Sequence, residues 1–210
     1  MPSFLWQTEK YYDLTGAFTY ISITLLATLY RLSHTTSKQL IAACMAVIWS
    51  GRLGYFLYQR VHRAGEDSRF RELKTNLLKF LIAWLLQGLW VVLTMAPLLV
   101  ILTDRRISSK SSFSVTDLIG LVVWVIGFAI EVISDRQKSE FNSNPNNKGK
   151  FINVGLWSLS RHPNYFGEIV IWIGAALFAL SVLQGWQLVS LISPVFVFAL
   201  IRFVSGVPIL

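Results

Sequence analysis

The residues best equipped for chemistry lie in one stretch, Gly155 to Glu168, which reads GLWSLSRHPNYFGE and runs straight into the apolar IVIWIGAALFALSVL. Asn164, Tyr165 and Glu168 are spaced by one, three and four residues, so a helix started by Pro163 carries them on one face of its first turns. An amide, a phenol and a carboxylate on one face can hold a polar cofactor ring. Arg161, beside the free N–H groups of a helix start, suits phosphate. A plainer reading makes the segment a helix entry at a membrane surface, with Arg161 and His162 meeting headgroups. That reading explains the proline and the basic pair. It leaves the clustering of amide, phenol and Glu168 unexplained, since a carboxylate at the head of an apolar run is costly in lipid.

Two further groups have the same character. In KYYDLTG, either Tyr11, Tyr12 and Asp13 form an aromatic belt with an N-cap at Asp13, or Asp13 and a neighbouring Tyr such as Tyr12 form a proton-donating pair at the mouth of a cavity. In GRLGYFLYQRVHRAGEDSRF, Arg52 lies about two turns inside the expected end of an apolar run, and an intramembrane Arg calls for a carboxylate or a phosphate partner. Arg60 and Arg63 continue roughly along its face and can equally snorkel to the interface. Further on, Glu131 and Asp135 are four apart on one helical face, as a solvated helix end would also place them, with Gln137 and Lys138 beyond. His34, His62 and His162 do not have the spacing of a metal set. There is no GxSxG, P-loop or GxGxxG.

The elements that position these residues follow from composition. The chain has 210 residues, 54% of them hydrophobic, and the apolar residues come in long blocks; mean hydropathy is +0.54. Such a chain is an all-α polytopic transmembrane bundle, since unbroken apolar runs satisfy their backbone groups in lipid only as helices. Six spans are expected, Leu14 to Tyr30, Leu40 to Tyr58, Leu77 to Leu102, Leu118 to Ile133, Tyr165 to Leu183 and Trp186 to Phe203, in a single integral membrane domain over residues 1–210. The net charge of +8 does not point to nucleic acid. Lys10, Arg60, Arg63, Arg69, Arg71, Lys74, Lys79, Arg136, Lys138, Lys148, Lys150 and Arg161 fall on the side of the N-terminus, against Arg31, Lys38, Arg105, Arg106 and Lys110 on the other. By the positive-inside rule both termini are then cytoplasmic, and the polar ends of the second, fourth and fifth spans converge on a cytoplasmic pocket. The single cysteine, Cys44, excludes an internal disulfide, and the first residues lack the pattern of a cleavable signal.

Through KYYDLTG, RLGYFLYQRVHRAGEDSRF, SDRQKSEF and GLWSLSRHPNYFGE the chain resembles the membrane-embedded steroid 5-alpha-reductase-like proteins, specifically the bacterial-type branch called DUF1295. The resemblance implies a helical bundle in a bacterial inner membrane, or in the endoplasmic reticulum of a eukaryote. It would bind NADPH from the cytoplasm and reduce an activated carbon–carbon double bond of a steroid-like or other lipid drawn from the bilayer. Carried over by position, Asp135, Asn164 and Glu168 match cofactor-holding residues, and Arg52 and Arg63 match basic residues near its phosphates. Arg161, His162 and Tyr165 belong to the motif, and Tyr12, Asp13 and Tyr165 are the candidates for carbonyl polarisation and proton donation. The catalytic Gln-Glu pair of the steroid enzymes has no match here. Relatives also continue past SGVPIL into a C-terminal segment that completes the cofactor site, so the chain is expected to be a short member or to lack that segment. RHPxYxG also looks like the isoprenylcysteine and phospholipid methyltransferases, which use S-adenosylmethionine. A non-catalytic lipid-binding member is the third alternative.

Overall fold

The computed structural model describes residues 2–30, 35–64, 70–71, 73–107 and 113–205. Every regular element among them is helical. Five helical segments are long and apolar enough to cross a membrane: Ser37–His62, Leu77–Thr103, Val115–Ser143, Pro163–Leu180 and Gly185–Phe203. The chain divides into two compact units, Met1–Lys110 and Ser111–Leu210.

The first unit contains a single turn α1 (Pro2–Leu5) and the helices α2 (Tyr12–Leu29), α3 (Ser37–Ala64) and α4 (Leu77–Thr103). α2 is the expected first span, although it is not among the five above. Its threonines turn inward on the helix: Thr15, Thr19, Thr24 and Thr28 each donate to the carbonyl four residues earlier, at 2.7 to 2.8 Å. Hydroxyls satisfied in this way can face an apolar neighbour without an unpaired donor. Tyr20 and Trp49 are both buried to 1% exposure and meet edge to face, and the Tyr20 hydroxyl bonds that of Thr94 on α4. Asn76 caps α4 by accepting from the N–H groups of Leu78 and Lys79. At its other end Gln39 donates to the carbonyls of Ile101 and Asp104, at 3.0 and 3.2 Å, so the free carbonyls of the helix end are answered from α3.

The second unit is built on an antiparallel pair, α5 (Val115–Ser143) and α6 (Pro163–Leu180). Two glycines seven residues apart on each helix bring the backbones together. A Cβ on Gly120 would lie 2.8 Å from the Gly174 carbonyl oxygen, and one on Gly127 would lie 2.9 Å from that of Gly167. In lipid, where apolar burial between helices gains little, such close backbone approach is what holds a pair together. α5 is far longer than the expected Leu118 to Ile133. It begins in a capping box of Ser114 and Asp117 and continues through the polar SDRQKSEFNS. The expected span Trp186 to Phe203 is composite: a 3-10 stretch Gly185–Leu191, the helix α7 (Ile192–Leu200) and a π turn Ile201–Ser205.

Candidate functional site

The glycine pairing of α5 and α6 fixes which polar residues meet. A Cβ on Gly167 would stand 2.7 Å from the Glu131 backbone nitrogen, so Glu131 on α5 lies level with the start of α6. One turn further along α5, Asp135 accepts a hydrogen bond from Asn164 Nδ2 at 3.2 Å. Glu131 and Asp135 are 3% and 4% exposed, a degree of burial that carboxylates reach only with partners. The other end of the Asn164 amide differs: its Oδ1 is buried and accepts no hydrogen bond. Because Nδ2 is turned to Asp135, this oxygen is held as an acceptor facing away from that carboxylate.

The segment leading into α6 is bolted to α5 by several contacts. The Leu156 N–H donates to Gln137 Oε1 at 3.0 Å, and the Trp157 indole N–H donates to the Ser134 carbonyl at 2.9 Å. Lys138 Nζ stands 4.8 Å from the Trp157 ring. Gly155 has φ +58°, a left-handed conformation that favours glycine, and a side chain there would also collide with Gln137. The bolted segment delivers His162 to the head of α6, where its ring stacks on that of Tyr165 at 5.2 Å. Burial, then Lys138, then Arg161 lower the His162 pKa below the usual imidazole value. Lys138 and Arg161 thus form a cationic group beside His162, next to the carboxylate and amide group of Glu131, Asp135 and Asn164.

Of the residues singled out in sequence, Asp135 and Asn164 are hydrogen-bonded partners, and His162 and Tyr165 are stacked, all in the second unit. Glu168 sits half-buried one turn into α6 beyond Asn164, and Arg161 is exposed. In the first unit, the Tyr12 hydroxyl donates to the Ala83 carbonyl at 2.8 Å, and its ring packs on Phe70 and Trp84. The geometry therefore commits Tyr12 to joining α2 to α4. Asp13 is in the first turn of α2 rather than at its N-cap, because the turn already closes from Tyr12 N–H to the Glu9 carbonyl. It lines a small cavity, and Arg60 Nη2 lies 3.9 Å from its carboxylate. Arg52 is half-buried with its guanidinium over the Phe56 ring at 5.3 Å. The side chain of Arg63 lies outside the described residues. Among the described residues no three His, Cys, Asp or Glu gather closely enough to hold a metal ion. Trp157 and the paired glycines were not singled out as site-forming. The seven-residue glycine spacing repeated on two neighbouring spans is the signal that points to them.

Fold and site together define a multi-pass helical membrane protein with a buried polar cluster on one helix pair. Over residues 3–210 the chain matches the family described as protein of unknown function (DUF1295), and it belongs to that family. It is also similar to a probable O-methyltransferase, ustE, of Ustilaginoidea virens, with 33% identity over 69 residues, which are 33% of this chain and 24% of the relative. An uncharacterized protein, C594.04c, of Schizosaccharomyces pombe is 24% identical over 201 residues, covering 80% of this chain and 58% of the relative. The chain thus spans less than two thirds of each of these relatives. No solved structure matches it.

Proposed function

We propose that this protein is a membrane-embedded, NADPH-dependent reductase of an activated carbon–carbon double bond in a lipid. The carrying observation is the Asn164 amide, fixed at one end by Asp135 and left with a buried, unused acceptor at the other. A buried acceptor without a partner is unfavourable by about 1 to 3 kcal/mol, and a ligand N–H restores that loss. The carboxamide of a nicotinamide ring supplies such an N–H, and Lys138 and Arg161 supply positive charge for phosphates.

NADPH, when bound, supplies the hydride. The residues of the chain then have three tasks. Asn164 and Asp135 orient the ring. The cationic group holds the phosphates, and Tyr165 offers a phenolic proton to the carbonyl conjugated with the double bond. His162, kept neutral at pH 7 by its lowered pKa, lies stacked against Tyr165 and accepts or returns protons without a competing positive charge. The apolar helices exclude water and admit the lipid from the side.

A second reading, an S-adenosylmethionine-dependent methyltransferase, is favoured by the similarity to the probable O-methyltransferase and by the carboxylates Glu131, Asp135 and Glu168, which complement a sulfonium cation. Calorimetry on the full chain with NADPH, NADH and S-adenosylmethionine separates the readings. The reductase predicts selective NADPH binding that weakens roughly tenfold or more in Asn164→Ala and in Glu168→Gln. Selective S-adenosylmethionine binding, or NADPH affinity unchanged in both folded variants, would overturn it.

A further inference from the structure

The segment joining α5 to α6 carries charge of one sign only. From Phe141 to Gly167 the sequence has no Asp or Glu, while Lys148, Lys150 and Arg161 fall within it. The two lysines are exposed, and among the described residues neither joins an ion pair. Large apolar side chains near them are left uncovered: Phe151 is 95% exposed and Leu159 82%. The segment is nevertheless held down. Asn147 Nδ2 donates to the Phe141 carbonyl at 2.9 Å, and the bonds to Gln137 and Ser134 hold Leu156 and Trp157 against α5. These contacts occupy the inward residues, so Lys148, Lys150, Phe151 and Leu159 are presented outward from a fixed frame.

Depth narrows what these residues meet. Ser134, Asp135 and Gln137 lie within about 5 Å of one another along α5, and Asp135 is level with Asn164 at the head of the span that Pro163 begins. Leu156 and Trp157 are thereby kept at the edge of that span. α5 runs on to Ser143, about 12 Å beyond Asp135, and the chain returns from there through Lys148, Lys150 and Phe151. A headgroup layer is roughly 5 to 8 Å thick on each side of the hydrocarbon, so the returning segment crosses it. Lysines at that depth meet headgroup phosphates, while a phenylalanine and a leucine reach the acyl boundary. No carboxylate in the segment repels a lipid of net negative charge. A soluble anion would answer the lysines but leave Phe151 and Leu159 in water.

We propose that this segment is a contact site for anionic lipid, in which Lys148 and Lys150 take the headgroup and Phe151 and Leu159 enter the acyl boundary. The proposal does not rest on the reductase reading, and Arg161, which that reading gives to the cofactor, is left out of it.

The test is thermal unfolding of the full chain in neutral detergent at fixed ionic strength, titrated with dioleoylphosphatidylglycerol, dioleoylphosphatidylcholine or inorganic phosphate. The midpoint should rise with phosphatidylglycerol at an apparent affinity about tenfold tighter than with phosphatidylcholine, because lysines near a surface favour anionic lipid. Lys148→Gln combined with Lys150→Gln should remove that preference. Lys10→Gln combined with Lys79→Gln deletes the same charge elsewhere and should keep it. Phe151→Ser combined with Leu159→Ser should weaken the response to both lipids about tenfold. Stabilisation by inorganic phosphate equal to that by phosphatidylglycerol would assign a free anion and overturn the proposal. So would silence from phosphatidylglycerol, equal responses to the two lipids, or a preference that survives in the folded Lys148 and Lys150 variant. A preference lost equally in the Lys10 and Lys79 variant, or lipid responses unchanged in the folded Phe151 and Leu159 variant, would overturn it too. If a variant does not fold, the selectivity of the unaltered protein decides.

Discussion

Adding one methyl group at the α5–α6 contact should do disproportionate damage. In Gly127→Ala the new Cβ would lie 2.6 Å from the Ile171 nitrogen, 2.9 Å from the Gly167 oxygen and 3.0 Å from the Val170 carbonyl carbon. In Gly174→Ala it would lie 2.4 Å from the Trp124 nitrogen. All of these are backbone atoms, so no side chain can swing aside. Restoring ordinary contact at about 3.4 Å requires the helix axes to part by roughly 0.8 to 1 Å, and overpacking of that kind costs about 1 to 3 kcal/mol. It outweighs the gain of about 1 kcal/mol that Ala brings to a helix in place of Gly. Gly51→Ala is the matched control, because a Cβ there meets nothing within 4 Å and only the helix gain remains. Urea or thermal unfolding of the detergent-solubilised variants should place Gly51→Ala at or above the parent, with the two contact variants clearly below. The contact also sets the level of Glu131 and Asp135 against α6, so under the proposed reductase function NADPH affinity should fall in step. Gly127→Ala and Gly174→Ala unfolding together with Gly51→Ala would refute the claim that backbone contact holds this pair.

Trp157→Phe keeps an aromatic side chain but removes the N–H that reaches the Ser134 carbonyl along with part of the buried indole, and it should lower stability by at least about 1 to 2 kcal/mol in the same unfolding assay. An unchanged midpoint would mean that the segment before α6 is not held by this bond. His162 gives a pH signature. Its folded pKa lies below the ordinary value of about 6.5, so its contribution to stability is present above that pH and is lost as the pH falls towards the folded value. Midpoints measured between pH 8 and pH 5 should therefore drop more steeply for the parent than for His162→Gln, and parallel curves would contradict this. A reporter fused after Leu210 should be cytoplasmic, as the asymmetry of basic residues predicts; an exterior signal would remove that topology.

The apolar runs made the centres of the helices legible, while their ends depended on chemistry that hydropathy ignores. The fourth span is expected to leave the membrane near Ile133, with Glu131 and Asp135 on one helical face at its end. The helix continues because its charges pair locally, as Arg136 does with Glu140 at 2.7 Å, and because a helix end in solvent has no need to be apolar. The last span reads as predominantly apolar, and composition without periodicity does not distinguish 3-10 or π turns from an α-helix. In the site, Asp135 and Asn164 stood out as polar residues in or beside apolar runs, but the bond between them joins positions 29 residues apart. Tyr12 shows the opposite case. Its phenol looked available for proton donation because the Ala83 carbonyl that engages it lies 71 residues away in the sequence.

The polarity of α2 has a consequence for how the chain is made. Its threonines satisfy themselves within the helix, but the Tyr12 hydroxyl donates to the Ala83 carbonyl, and Gln87 donates to the Tyr12 carbonyl. Both partners belong to α4, which leaves the ribosome more than fifty residues after α2 is complete. During that interval α2 is without these two contacts to α4. Docking of α2 is therefore expected to be completed only when α4 arrives, so that a late helix finishes the packing of an early one.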